Sequence, residues 1–252
     1  MTRVGTVQAL YRYPVKSTAG QVLELAEVDV RGLVLDRTWA VRTDDGELGS
    51  GKTSHRFRKL DGLLRWRSGV SRAPGSASGE PGDVWLEDPD GRRWGAGDPG
   101  ADEALSAAFR RSLRLLGGSR TTYHDDSGVH LVTTSSLRRA GALAGGVLDA
   151  RRLRPNLVLA TEGEGFVEDG WEGSELAVGP EVVLRLGEPM PRCVMVDQAH
   201  ADVDAGPRVL RTLGREHATL LGLKAEVVRG GTLRVGDEAR LRVSRAAGPP
   251  AP

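Results

Sequence analysis

Cysteine is almost absent from the 252 residues. Cys193 is the only one, and lysine is restricted to Lys16, Lys52, Lys59 and Lys224. A single thiol cannot close an internal disulfide, form a cysteine-cluster zinc site or ligate an iron–sulfur cluster. We therefore expect a reducing, cytoplasmic location and no iron–sulfur cluster in this chain. Electrons, if the protein uses them, must come from another molecule.

Net charge of one sign and long apolar runs are also lacking. The 35 basic and 34 acidic residues leave a formal charge of +1, so no long-range field attracts nucleic acid or anionic lipid. The opening stretch MTRVGTVQALYRYPVK has no unbroken apolar segment of the kind that a signal peptide or membrane span requires. Neither nucleic acid nor a membrane is expected as a partner, and any anion must be bound by local groups.

The first half of the chain reads mainly as β-structure. Period-two alternation predicts strands in VGTVQALYRYPV and QVLELAEVDV, and Asp90-Gly91 predicts a hairpin between VWLED and RRWGA. Segment 68–83, SGVSRAPGSASGEPGD, has no periodicity and predicts a mobile surface loop. The apolar spacing over residues 102–116 predicts a helix that stops at Gly117-Gly118 and divides the two halves.

The second half alternates strands with two helices. Strands are predicted at VHLVT, LRPNLVLA, ELAVG, EVVLRLG, LKAEVVR, TLRVG and EARLRV, and helices near SSLRRAGALA and over PRVLRTLGREHATLLG. Strand-heavy order without regular βαβ alternation predicts an α+β, mainly β architecture of the barrel type and not a doubly wound parallel sheet. The length allows one large domain or two small ones packed closely together.

A phosphate-loop pattern occurs at residues 46–53, GELGSGKT. A working loop of this kind needs a buried strand before it and a helix N-terminus after it. Here the pattern begins in the turn Asp44-Asp45-Gly46, and SHRFRKLDG, which follows, has no clean apolar stripe. Nucleotide hydrolysis is therefore disfavoured, and Lys52 remains a group that can face some other phosphate.

Two further features have plain structural interpretations. Segment 197–206, DQAHADVDAG, gathers oxygen and imidazole groups, but its spacing differs from that of a calcium loop and we interpret it as a solvated turn. The five histidines are scattered, with no pair four residues apart to place two imidazoles on one helix face. We interpret them as structural or surface residues.

Cys193 lies in the segment PMPRCVMV. By itself, a lone cysteine is most often a buried small apolar residue. Arg192 beside it favours the thiolate, the form that binds a soft metal or attacks an electrophile, and the prolines favour an extended backbone. Separately, Arg154 and Asn156 in the segment RPN can bind an anion or a heterocycle, although a surface charge is the simpler interpretation of Arg154.

These motifs, taken in order, resemble those of a known family. Tyr13-Pro14-Val15-Lys16-Ser17, Gly32-Leu33 and Asp36-Arg37-Thr38-Trp39 resemble the β-barrel domain that precedes the MOSC domain, a module named after the C-terminal part of molybdenum cofactor sulfurases. Segments 153–158 and 166–171, Arg192-Cys193, Gly230 and Val235-Gly236-Asp237 resemble the MOSC domain itself. The resemblance implies an N-terminal β-barrel domain over 1–118, a MOSC domain packed against it over 119–245, and a disordered tail over 246–252.

The resemblance also implies a cofactor site. The molybdenum cofactor (molybdopterin) is the expected ligand, and Cys193 is the expected catalytic residue and protein ligand of the metal. The expected cofactor-binding residues are Lys16, Ser17, Arg37, Lys52, Arg154, Asn156, Asp169 and Arg192. Relatives often carry Thr-x-Arg where this chain has Ser50-Gly51-Lys52, so Lys52 is expected to replace that arginine.

The implied activity is reduction of N-hydroxylated or related N-oxygenated small molecules, as in amidoxime-reducing components. No PLP-binding domain of the sulfurases and no ferredoxin-like domain is visible. An external ferredoxin- or flavin-type electron-transfer protein is therefore expected as the donor. The protein is also expected to be a monomer. The alternative is a sulfur-carrier or cofactor sulfur-transfer module that uses a Cys193 persulfide. A degenerate domain that binds no cofactor is a third hypothesis, disfavoured by the presence of Cys193, Lys16 and Arg154.

Overall fold

The structure is a computed structural model that describes residues 1–72, 81–118, 122–206 and 208–243. The strands in these ranges are β1 (Thr2–Arg12), β2 (Gln21–Leu23), β3 (Leu25–Asp29), β4 (Gly32–Leu33), β5 (Trp39–Thr43), β6 (Leu48–Ser50), β7 (Phe57–Lys59), β8 (Arg67–Arg72), β9 (Pro81–Glu87), β10 (Arg93–Gly95), β11 (Leu113–Gly117), β12 (Val129–Thr133), β13 (Leu157–Ala160), β14 (Glu175–Val178), β15 (Val182–Pro191), β16 (Leu220–Arg229), β17 (Gly231–Arg234) and β18 (Glu238–Arg242). The α-helices are α1 (Pro99–Phe109), α2 (Thr134–Ala144) and α3 (Val209–Glu216), and short 3-10 helices occupy Leu63–Arg65, Ala150–Leu153, Val167–Trp171 and Val194–Asp197. None of the helices in the described part of the chain is long and apolar enough to span a membrane.

Seven strands close into a barrel in the order β13, β12, β16, β15, β14, β18 and β1, and β1 pairs back onto β13. Neighbouring strands are antiparallel except β12 and β13, which run parallel. Closure removes free sheet edges, which would otherwise leave unpaired backbone groups. The expected mainly β fold with a barrel is confirmed. Six of the seven barrel strands follow residue 128, and β1 comes from the first half of the chain, so the barrel contains strands from both halves. The domain boundary at residue 118 stays a prediction.

Period-two burial explains why these segments form barrel strands. In β18, Ala239 and Leu241 point into the core while the charged residues between them remain outside. In β12 all five residues are buried, because both faces of this strand are covered. Leu131 packs inside the barrel, and Val132 packs on the opposite side against the cluster formed by α2 and α3.

Strand β2 pairs with β1 beside the barrel, and the other strands form three smaller sheets, in the orders β11-β5-β6-β7, β10-β9-β8 and β17-β3-β4. A second apolar core joins the first two of these sheets to α1. It contains Val15, Val41, Leu86 and Leu105, all fully buried. Val15 follows directly from the barrel strand β1, so the two cores are connected through the chain segment that leaves the barrel.

The prediction of a helix over 102–116 is correct only in its first part. Asp98 caps α1 by accepting a hydrogen bond from Gly100 N at 2.8 Å, and Arg110 ends the helix in the left-handed conformation. Residues 113–117 form β11 and pair with β5. Leu113 and Leu115 fit period two as well as helical spacing, and burial against the second core decides for the strand.

The predicted loop over 68–83 is wrong at both of its ends. Residues 68–72 belong to β8 and residues 81–83 to β9, and the two strands pair antiparallel, while residues 73–80 lie outside the described residues. The hairpin at Asp90-Gly91 is confirmed, because β9 pairs with β10 across it. The last predicted helix is shorter than expected: α3 ends at Glu216 and β16 begins at Leu220. The predicted tail, residues 246–252, lies outside the described residues.

Truncation of a barrel residue tests the core assignment. Leu184→Ala lowers the free energy of unfolding by about 2–5 kcal/mol, because Leu184 is 0% exposed and the change leaves a cavity inside the barrel. Val22→Ala is the control: Val22 is 63% exposed, and a change within about 0.5 kcal/mol is expected. Urea denaturation measures both, and equal losses would contradict the placement of Leu184 in the core.

Candidate functional site

A cleft of about 320 Å³ brings together side chains that are far apart in the sequence. Its walls come from the loop after β1, the turn after β6, the segment before β12, the 3-10 helix before β13 and the segment after β15. The predicted site residues that line it are Lys16, Ser17, Arg37, Lys52, Arg154, Asn156, Arg192 and Cys193. Of the predicted set, only Asp169 lies elsewhere.

The cleft is strongly basic although the chain as a whole is nearly neutral. Its basic residues are Lys16, Arg37, Lys52, Arg152, Arg154 and Arg192, and its acidic residues are Asp125 and Asp126. Six cations against two carboxylates leave a formal charge of +4 in the lining, whereas the whole chain carries +1. An anion is therefore attracted by this local cluster and not by the overall charge of the protein.

Three cleft residues hold a left-handed backbone conformation. The φ angles of Ser17, Arg37 and Arg154 are 62°, 50° and 55°, values that non-glycine residues rarely adopt. Each costs about 1–2 kcal/mol relative to a right-handed conformation. Strain of this kind persists only where the surrounding structure enforces it, and it is concentrated at binding sites. The fold therefore holds these three predicted ligand residues in positions that the local sequence does not favour.

Asp125 forms ion pairs with both lysines of the cleft. Lys16, only 4% exposed, forms an ion pair with Asp125 and donates to the carbonyl of Tyr123 at 3.0 Å. Lys52 Nζ lies 3.5 Å from the other oxygen of the same carboxylate. Burial lowers the pKa of Lys16 to about 8, although Asp125 opposes this shift. Burial also lowers the pKa of His124, in the same wall, to about 4, so this imidazole is neutral at pH 7.

Arg37 and Arg154 both lie over the ring of Tyr13, with guanidinium carbons 4.8 and 4.3 Å from the ring centroid. Arg37 pairs with the buried Asp36 and donates to the carbonyl of Arg154 at 3.2 Å. Arg154 donates to the carbonyl of Thr18 at 2.5 Å. Burial, reinforced by Arg37, lowers the pKa of Arg154 to about 10, so Arg154 is a cation at neutral pH.

Arg192 and Cys193 lie where β15 ends. Arg192 donates from its guanidinium to the carbonyl of Leu153 at 2.6 Å and lies 3.3 Å from His130 Nε2, and burial lowers its pKa to about 10. Its Nε atom is buried and has no hydrogen-bond partner among the described residues. Cys193 is half-buried and precedes the 3-10 helix Val194–Asp197, and its side chain makes no capping hydrogen bond.

Arg152 forms hydrogen bonds with the segment that follows Cys193. It is buried and donates to the carbonyls of Val196 and Gln198 at 3.4 and 3.3 Å and to that of Asp204. The interpretation of 197–206 as a solvated turn holds only in part. Asp202, Asp204 and Ala205 are exposed, but Arg152 binds carbonyls of the segment and His200 is buried. Sequence reasoning missed Arg152 as a cleft residue, although its position two residues before Arg154 was a usable signal.

The turn that carries Lys52 contacts the same segment. Gln198 donates through Nε2 to the carbonyl of Gly51 at 2.7 Å, and Ser50 lies 3.8 Å from the sulfur of Met195. No helix follows the GELGSGKT pattern, because β6 leads through this turn to β7. The geometry of a nucleotide-binding phosphate loop is thus not formed, and Lys52 faces the cleft instead.

Two predicted residues make contacts that the sequence did not indicate. Asn156 borders the cleft, but its amide accepts from His130 N at 3.2 Å and donates to the carbonyl of Tyr11 at 3.2 Å. It therefore joins β12 to β1 beneath the cleft. Asp169 lies 2.6 Å from His217 Nε2. Two cleft residues that sequence reasoning missed, Asp125 and His130, belong to no motif.

Comparison with known proteins agrees with this arrangement. Residues 4–61 match the MOSC N-terminal beta barrel domain, and residues 118–240 match the MOSC domain. The chain is 24% identical to mitochondrial amidoxime reducing component 2 from Bos taurus, over 94% of this chain and 83% of that protein. The crystal structure of the YUAD protein from Bacillus subtilis shares the fold, with a TM-score of 0.52 and 14% identity over 96% of this chain and 97% of that one. The chain belongs to the MOSC-domain proteins and carries the MOSC N-terminal beta barrel domain ahead of its MOSC domain.

Proposed function

We propose that this chain binds the molybdenum cofactor in the cleft and reduces N-hydroxylated or related N-oxygenated small molecules with electrons from an external ferredoxin- or flavin-type protein. MOSC domains are associated with binding of this cofactor, and the bovine relative is by name an amidoxime reducing component. The observation that carries the proposal is the half-buried thiol of Cys193 in a cleft lined by six basic side chains.

The donor set of the cleft fits this cofactor. A pterin dithiolene with a phosphate needs one soft thiolate for the metal, cations for the phosphate, and hydrogen-bonding groups for the heterocycle. Cys193 is the only thiol in the chain, and the cations surround it in the same cleft. The buried Nε of Arg192, which has no acceptor among the described residues, costs about 1–3 kcal/mol unless a ligand supplies one.

The residues divide this work by chemistry. Cys193 would ligate molybdenum, Lys16, Lys52 and Arg37 would hold the phosphate, and Arg154 and Arg192 would donate to the pterin. When bound, the cofactor would supply two-electron chemistry: with two electrons from the partner protein and two protons, the N–O bond of the substrate is broken and its oxygen is released as water. The burial of the cations strengthens their interaction with an anion, because less water screens it.

Loss of the thiol tests the central claim. Cys193→Ala abolishes molybdenum-dependent reduction of a model amidoxime with reduced viologen as the artificial donor, because the protein ligand of the metal is gone. Molybdenum content, measured by mass spectrometry on protein from a cofactor-competent host, also falls. The control is Val147→Ala, at a side chain that is 94% exposed outside the cleft, which keeps both. Unchanged turnover in Cys193→Ala would sink the proposal, and a sulfane-sulfur adduct on Cys193 of wild-type protein without molybdenum would favour the sulfur-transfer alternative.

The pH dependence of anion binding follows from Lys16. Its pKa of about 8 means that the ammonium loses its proton as the pH rises from 7 to 9, so the affinity of cofactor-free protein for pyrophosphate falls over that interval. In Lys16→Arg the charge persists, because a guanidinium stays protonated, and the decline is shallower. Isothermal titration at several pH values compares the two proteins. Parallel pH profiles would show that Lys16 does not bind the anion.

Asp125 competes with an incoming anion for the two lysines. Asp125→Asn therefore tightens pyrophosphate binding by about tenfold at pH 6, equivalent to about 1.4 kcal/mol, because the carboxylate no longer has to be displaced. The lower pH offsets the further decrease in the pKa of Lys16 that follows from the loss of Asp125. Asp126→Asn is the matched control: it removes the same charge from the same cleft, but Asp126 has no ion pair within the described ranges. Titration calorimetry on cofactor-free protein measures both, and equal gains would mean that only the net charge of the cleft matters.

A further inference from the structure

The pair of Asp169 and His217 lies outside the cleft and is joined by a short hydrogen bond. His217 Nε2 lies 2.6 Å from an Asp169 carboxylate oxygen, and Nδ1 lies 2.8 Å from the carbonyl oxygen of Leu220. A carbonyl oxygen can only accept hydrogen bonds, so Nδ1 of His217 donates to Leu220. The other ring nitrogen shares one proton with the Asp169 carboxyl group, so the ring is held from both sides.

The His217 ring is also held by stacking and by its backbone. It lies on the ring of Phe166, with centroids 3.7 Å apart and an interplanar angle of 12°. The backbone N–H of His217 donates to the carbonyl of Leu213 at 2.8 Å, at the end of α3. The 3-10 helix Val167–Trp171, which carries Asp169, is thereby fixed to the end of α3.

A strained turn follows His217 directly. Ala218 and Thr219 both have left-handed backbones, with φ angles of 50° and 62°. Two consecutive non-glycine residues in this region cost about 1–2 kcal/mol each, so the turn needs external restraint. The His217 side chain supplies such a restraint, because its Nδ1–H donates to Leu220, which lies on the far side of the two strained residues.

This turn contacts the residue that precedes Cys193. The carbonyl of Thr219 accepts a hydrogen bond from the backbone N–H of Arg192 at 2.7 Å. The register of β15 against β16 places Pro191 opposite Leu220 at the same point. The conformation of the strained turn therefore determines where the backbone at Arg192 and Cys193 is held.

We propose that Asp169 and His217 are positioning residues for Cys193, acting through the turn at Ala218 and Thr219. The Asp169 carboxyl group holds the ring, the ring restrains the turn, and the turn holds the Arg192 backbone. The inference rests on the proposed function for its catalytic meaning. It gives Asp169 a role away from the cofactor, consistent with its position outside the cleft.

The experiment uses cofactor-free full-length protein, in which Cys193 is the only thiol. The variants are Asp169→Ala, which removes the partner of the ring, and His217→Ala, which removes the ring together with its hydrogen bonds to Asp169 and Leu220. Glu172→Gln is the control, because Glu172 is an exposed carboxylate close to Asp169 in sequence. Amide hydrogen exchange at Arg192 and the alkylation rate of Cys193 with iodoacetamide are measured, with exchange at Leu184 as the reference for the barrel core.

Both variants are expected to speed exchange at Arg192 by about tenfold, the ratio that corresponds to about 1.4 kcal/mol of lost local stability. Alkylation of Cys193 becomes several-fold faster, exchange at Leu184 is unchanged, and the control behaves like the wild type. Wild-type rates at Arg192 and Cys193 in either variant would overturn the inference, as would equal acceleration at Leu184, which would indicate global destabilisation. Neither readout requires molybdenum, so failure of the proposed reductase activity would not alter these results.

Discussion

The pairing of β1 with both β18 and β13 is the constraint on which the rest of the structure depends. It closes the barrel, and closure satisfies the backbone groups of two neighbouring strands at once. Because β1 leads directly into Tyr13-Pro14-Val15-Lys16-Ser17, the same pairing places Lys16 and Ser17 in the wall of the cleft. Asn156 reinforces this placement through its hydrogen bond to Tyr11. A site assembled from both halves of the chain is thus a consequence of how the barrel closes.

The cleft concentrates energetic costs that a bound anion would relieve. Buried cations lose hydration, which is why the pKa values of Lys16, Arg154 and Arg192 all lie below their usual range. Left-handed backbones at Ser17, Arg37 and Arg154 add strain. Without a ligand, the protein compensates in part through Asp125, Asp36 and backbone carbonyls. An anionic, heterocyclic ligand would meet groups that are already desolvated and held in place.

Cys193 is fixed through its backbone neighbours, and its sulfur makes no hydrogen bond within the part of the chain that the structure describes. On one side, the Arg192 N–H is held by Thr219, and on the other, Arg152 binds the carbonyls of the segment that follows. The sulfur therefore keeps a defined position while its coordination capacity stays unused by the protein. Such a division suits a thiolate that serves a soft metal, because orientation comes from the surrounding shell.

Local sequence was enough to predict most strands, because the alternation that buries one face of ELAVG or EARLRV depends only on neighbouring residues. It also indicated, through motif resemblance, eight of the residues that line the cleft, among them five of its six basic side chains. Tertiary structure decided whether Leu113 and Leu115 belong to a helix or a strand, since both patterns fit and only the second core distinguishes them. It alone brought Asp125 to Lys16, 109 residues away, and Asp169 to His217, 48 residues away. Contacts across such separations follow from barrel closure and burial, and no local pattern encodes them.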